Sequence, residues 1–295
     1  MFFGDEARIL AILLAIAGAI FLSIGAQLQN DAVTKSQGAI ATRGGLRLVQ
    51  VLRLARSKRW LLGALAMGAA VVSQLAALSL APLIVVQPIG ALALIITSIL
   101  NAKLYKISLD AKTITAIAIT FLGVASFVGS TAFIANEAEM TDFKLLQVVG
   151  LLAVSLVIFG SLFYLSKGKV GPLNYVFGAG VLYGFVASLA KVVILRLNQL
   201  DFGWLTILAL AALLGATVLG GWFVQNAYAS GPPDLVIAGL TVIDPAVAIL
   251  IAIFVLGEAS QAAGLQFAGL GLSGLIAAVG VLLLAKVHPQ VVKLK

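Results

Sequence analysis

Cysteine is absent and histidine occurs once, as His288, in a chain of 295 residues. Disulfide staples and thiolate metal sites are therefore excluded, and a lone imidazole cannot build a metal cluster. Charge is scarce too: Asp, Glu, Lys and Arg make up 10% of the residues, against 62% hydrophobic ones. No HExxH, G-x-S-x-G or phosphate-cradling P-loop occurs, so neither hydrolytic catalysis nor nucleotide-driven pumping has a foothold. The chain reads as a non-enzyme that calls for no cofactor.

What is present is oil in long runs. Mean hydropathy is +1.15, far above that of a soluble domain. The apolar runs are long enough to cross ~30 Å of hydrocarbon as helices, and the period-2 alternation of a barrel is missing. The prediction is an all-α polytopic membrane protein with nine spans: 8–29, 60–80, 83–101, 113–134, 145–166, 173–196, 204–228, 235–256 and 262–285. The first run follows Asp5 and Glu6 rather than a basic stretch, so it is expected to be a retained span and not a cleaved signal.

The net charge of +8 sits between the spans, which points to lipid headgroups and not to nucleic acid. Segment 30–59 carries Lys35, Arg43, Arg47, Arg53, Arg56, Lys58 and Arg59 against Asp31. Lys103, Lys106, Lys112, Lys167, Lys169, Lys286, Lys293 and Lys295 fall on the same side once nine spans are counted. The alternate loops hold Glu137, Glu139, Asp142, Asp201 and Glu258, with Lys144 as the exception. The positive-inside rule then puts the N-terminus out and the C-terminus in, across a plasma (inner) membrane. Residues 44–60, GGLRLVQVLRLARSKRW, align Arg47, Gln50, Arg53 and Arg56 on one helical face, as a basic amphipathic helix on anionic lipid would, with a gate or partner contact as the alternative.

An internal repeat follows from two short alignments. QLAALSLAP (74–82) matches QNAYASGPP (225–233) at Gln74/Gln225, Ala76/Ala227, Ser79/Ser230 and Pro82/Pro233. After a six-residue shift, VVQPIGALALIITSILN (85–101) lies on VIDPAVAILIAIFVLGE (242–258), placing Gln87 on Asp244 and Asn101 on Glu258. The two units cross the membrane in opposite senses, so the predicted architecture is 4 + 1 + 4 with inverted repeats. The first repeat is 1–134, the linking span 145–166, the second repeat 173–286 and the cytoplasmic tail 287–295. Such repeats are the usual scaffold of alternating-access transporters.

Gln87-Pro88 and Asp244-Pro245 lie deep in this scheme. Proline removes a backbone hydrogen bond and clashes with the preceding turn, so both dipeptides are expected to kink or break their helices toward the protein interior. A carboxylate at that depth is expensive, which makes Asp244 the leading site candidate. Lys191 is either its countercharge in a cavity or a snorkelling amine; Arg196 is read as snorkelling. Gln74, Gln87, Gln225 and Asn226 are candidate hydrogen-bonding groups for a substrate or between helices, and Glu258 reads as a solvated turn residue.

These residues resemble the drug/metabolite transporter superfamily, and within it the NIPA-like magnesium transporter branch. The likeness rests on RWLLGALAMGAA and ALSLAPLIVVQPIGALALI within 59–95, with Trp60, Met67, Pro82, Pro88, Gly90, Ala91 and Leu92 at the matching positions. In the second half it rests on 225–258, whose Gly257-Glu258 ending is also similar to EamA-type permeases, and on Lys191, near a lysine the branch often carries. The branch tends to carry an acidic residue between the Met and Ala-Pro positions, whereas Val71, Val72, Ser73 and Gln74 offer none. On that ground the leading expectation is a secondary transporter of a small organic or amphipathic solute. The alternative is a magnesium or other divalent-cation transporter; a further one is a flippase for a lipid-linked phosphate compound. The expected partners are a small-molecule or ion substrate and anionic lipids, with a homodimer left open.

Overall fold

The computed structural model describes residues 5–37, 57–105, 109–136, 139–165, 171–230 and 233–287. Among these residues the chain is all helix, with no strand. The helices are α1 (Asp5–Gln37), α2 (Lys58–Leu80), α3, α4 (Ala111–Ile134), α5 (Asp142–Leu165), α6 (Pro172–Asn198), α7 (Trp204–Ser230), α8 and α9 (Gly264–Val287). Helix α3 is built of three pieces, Leu83–Val86, a tighter 3-10 segment Gln87–Ala91, and Leu92–Tyr105. Helix α8 runs as α-helix over Pro233–Ile251 and widens to a π turn over Ala252–Leu256. All nine are long and apolar enough to cross a membrane. Helix α1 outruns the expected first span, since it continues to Gln37. The predicted amphipathic helix lies outside the described residues apart from its last four positions.

Local chemistry sets the helix ends. Helix α2 stops at Leu80 because Ala81 precedes Pro82 and takes an extended conformation (φ −146°, ψ 158°). Pro82 then opens α3 but carries no side chain able to cap it. Helix α4 has an ordinary cap: Asp110 accepts from the Thr113 amide at 2.9 Å and from its hydroxyl at 2.5 Å. Those bonds hold the Asp110 carboxyl below its usual range. Pro172 sits in the first turn of α6, where a missing N–H costs nothing.

The helices pair in a recurrent pattern. In the first half α1 packs most extensively on α2 and then on α3; in the second, α6 packs most extensively on α7 and then on α8. Helix α4 of the first half packs on α9 of the second. Close approach at that contact depends on glycine. A Cβ at Gly280 would lie 2.4 Å from the Thr120 amide nitrogen, and one at Gly123 2.4 Å from that of Ala277. Helices α3 and α6 are the most enclosed, while α5 is the least and leans on α6 and α7. Edge-to-face rings fasten it there, among them Phe163 with Tyr175 and Phe163 with Phe223, both at 5.3 Å.

Candidate functional site

Asp244 lies midway along α8, on a helix face packed against two glycines of α6. A Cβ on Gly180 would come within 2.6 Å of Ile243, and one on Gly184 within 2.6 Å of Val247 and 2.9 Å of the Asp244 carbonyl oxygen. The absent side chains let α8 sit close to α6 here. Asp244 as a whole is half-buried, yet its Oδ1 is enclosed and has no hydrogen-bond partner. Nearby in sequence on α6, the Tyr183 ring faces Gly220 and its hydroxyl Gly221, both on α7.

The helix runs through Pro245 as α-helix without a break, where a kink or break was expected. Its irregularity comes about two turns later, as the π turn Ala252–Leu256 and then the left-handed Gly257 (φ 77°). Asp244 therefore does not cap a half-helix, and its Oδ1 is left unbonded. Around Pro88 the chain instead tightens into the 3-10 segment, with Gln87 and Pro88 buried at its start. Gln74 is half-buried on α2 beside Gly18 of α1. Gln225 is on the exposed face of α7, and Asn226 bonds back to the Trp222 carbonyl of its own helix at 2.7 Å. Neither comes together with Asp244 in any contact described.

Two readings of charged residues are corrected. Glu258 is not a solvated turn residue: it is 2% exposed, and its two carboxylate oxygens accept from the Leu83 and Ile84 amides at 3.0 and 2.8 Å. Pro82 leaves the first turn of α3 uncapped, and Glu258 supplies the cap from the far end of α8. The left-handed Gly257 swings it there, with the Glu258 amide bonded to the Ala252 carbonyl at 2.9 Å. Arg196 does not snorkel. It is 5% exposed and pairs with Asp142 and, at 3.0 Å, with Asp201.

Lys191 is 0% exposed, and its ammonium donates to the carbonyls of Leu78 (2.7 Å) and Ala81 (2.9 Å) at the end of α2. Two more cations do the same for other helices. Arg8 donates to the Ala132 and Ala135 carbonyls at the end of α4, and Lys144 to the Leu256 carbonyl at the end of α8. Helix C-termini carry partial negative charge and unpaired carbonyls, so cations are stabilised there. The sequence signal for one of these caps was Lys144, the lone basic residue that breaks the charge alternation.

The chemistry open to Asp244 is narrow. Among the described residues no group of three or more His, Asp or Glu side chains is placed to hold a metal. A cleft of about 250 Å³ lies between α5 and α6, lined by Ser155, Phe159, Phe163, Asn174 and other largely apolar residues. None of its lining residues belongs to α8, so it is separate from Asp244. What remains at Asp244 is one carboxylate with an enclosed, unbonded oxygen, a hard ligand that makes no cage by itself.

Comparison with known families returned one match, to the family described as Magnesium transporter NIPA, over residues 6–169. That is more than half of the chain, running from α1 past the end of α5. No curated protein and no solved structure matches.

Proposed function

Because the chain belongs to the magnesium transporter NIPA family, a family of membrane transporters, we propose that its cargo is magnesium or a similar divalent cation. The observation that carries the reading is the Asp244 carboxylate, mid-span in α8 with an enclosed, unbonded Oδ1. The other deep carboxylate, Glu258, is committed to the first turn of α3. Magnesium sheds water reluctantly and is commonly held by one or two carboxylates while keeping several waters. A single carboxylate suits a hydrated ion passing through, and no permanent cage is required. The missing acid near Val71, which favoured an organic solute, carries less weight once the family and the free carboxylate are set together.

Passage takes place by alternating access between inverted repeats, α1–α4 and α6–α9, with α5 as the reversing span. The matching order of packing partners, α1 with α2 and α3, α6 with α7 and α8, supports this, as does the pairing of the two last helices, α4 with α9. The N-terminus lies outside. The cations that depart from the positive-inside pattern support that orientation, because Arg8, Lys144 and Arg196 are taken up by carbonyls or carboxylates.

Purified protein tests the cargo through ligand stabilisation. Magnesium should raise its melting temperature, and Asp244→Asn should remove that effect. Stabilisation by organic ions or polyprenyl phosphates with none by magnesium would return the cargo to the organic-solute or flippase alternatives.

A further inference from the structure

The two ends of α3 and α8 differ, and the difference falls on two side chains that the repeat pairs with each other. Glu258 follows Asp244 by fourteen positions (258 − 244), as Asn101 follows Gln87 (101 − 87). Where Glu258 lies, its carboxylate holds the Leu83 and Ile84 amides, and the first turn of α3 packs on the last turns of α8. At the opposite end Asn101 is 0% exposed, and neither its Oδ1 nor its Nδ2 has a partner. The last piece of α3 packs chiefly on α1, α4 and α9. A buried amide left unpaired on both atoms is uncommon and calls for an explanation.

The repeat supplies one. Pro82 falls on Pro233, so Leu83 and Ile84 fall on Asp234 and Leu235. The amides of Asp234 and Leu235 open α8 as those of Leu83 and Ile84 open α3, and like them they lack a partner within their own helix.

We infer that Glu258 and Asn101 are the two latches of an alternating gate, each shaped for the first turn of the other repeat's helix. While Glu258 holds α3, the face that carries it is closed. When Glu258 lets go, Asn101 Oδ1 accepts from the first-turn amides of α8 and closes the opposite face. Both are positioning residues that act on helix ends and do not touch the cation. The inference rests on the inverted-repeat reading. The latches are unequal, because hydrogen bonds to a carboxylate are roughly twice as strong as those to a neutral amide. The resting state is accordingly the one held by Glu258, as in this structure.

The absence of native cysteine gives a direct test. Val86→Cys places a thiol on the fully buried first turn of α3, reachable only when the Glu258 latch opens. Full-length protein in right-side-out and inverted membrane vesicles is labelled with a membrane-impermeant maleimide. Glu258→Gln, which keeps shape but loses charge, should speed labelling from the Glu258 face on the order of tenfold. Asn101→Asp, which strengthens the opposite latch, should also speed it, and Asn101→Leu should slow it. Opposite signs at one position separate a latch from a packing residue. An unchanged rate in Glu258→Gln, or the same direction of change in both Asn101 variants, overturns the inference. Labelling needs no cargo, so that failure would leave the magnesium reading standing. Loss of the magnesium reading would likewise leave the labelling pattern intact.

Discussion

Lys191 and Glu258 hold the two sides of a single turn: on one side of Pro82 the lysine ammonium binds the carbonyls of Leu78 and Ala81, and on the other the glutamate carboxylate binds the amides of Leu83 and Ile84. Both come from the second half of the chain, from α6 and from the end of α8, and both grip the α2–α3 turn of the first. The C-terminus of one helix and the N-terminus of the next meet there, inside a low-dielectric interior, with partial charges of opposite sign. A lysine and a glutamate are the residues that answer those charges.

Removing the lysine should therefore cost stability. Lys191→Met keeps most of the apolar stem but orphans two buried carbonyls, at about 1–3 kcal/mol each. The melting temperature in detergent should fall clearly. Lys103→Met, on the exposed face of α3 near its end, should leave it nearly unchanged.

Helices α4 and α9 test the packing account. Gly280→Ala and Gly123→Ala push a methyl against backbone atoms of the facing helix, an overpacking worth about 1–3 kcal/mol. Gly129, also on α4, has open space at its Cβ position. Gly129→Ala should be neutral or slightly stabilising, since alanine is the better helix former. Thermal unfolding of the three variants side by side is the check.

The Asp110 cap gives a signed pH effect. Its carboxyl is held below the ordinary value of 3.8, first by the Thr113 hydroxyl and then by the Thr113 amide. A lowered folded-state value means the cap's contribution is complete above the unfolded value and is lost as pH falls through the folded one. Wild type should lose stability relative to Asp110→Ala as pH drops from about 5 toward 2. Parallel curves for the two proteins would contradict the cap.

The fold was more legible than the site. Nine spans could be read because each helix is a long apolar run between charged loops, and the lipid solvent demands that pattern. Asp244 stood out for the same reason: a carboxylate among Ile243, Pro245 and Val247 violates it. The role of Glu258 was hidden because its burial depends on a distant turn that Pro82 leaves uncapped, and nothing near Glu258 in sequence reports this. Arg196 likewise looked like a snorkelling end residue because its acids come from two separate places, Asp142 at the start of α5 and Asp201 in the turn before α7. Pro245 was expected to kink or break its helix. Proline's cost to a helix is one hydrogen bond and one clash, and α8 absorbs both without breaking.

The central claim is that a divalent cation crosses this protein by way of Asp244. Magnesium uptake into proteoliposomes, read with an entrapped magnesium-sensitive dye, tests it most directly. The account predicts gradient-driven uptake by wild type and its loss in Asp244→Asn, with the variant as monodisperse and as thermally stable as the parent. Uptake by Asp244→Asn at the wild-type rate, or none by wild type while an organic ion is carried, would contradict it.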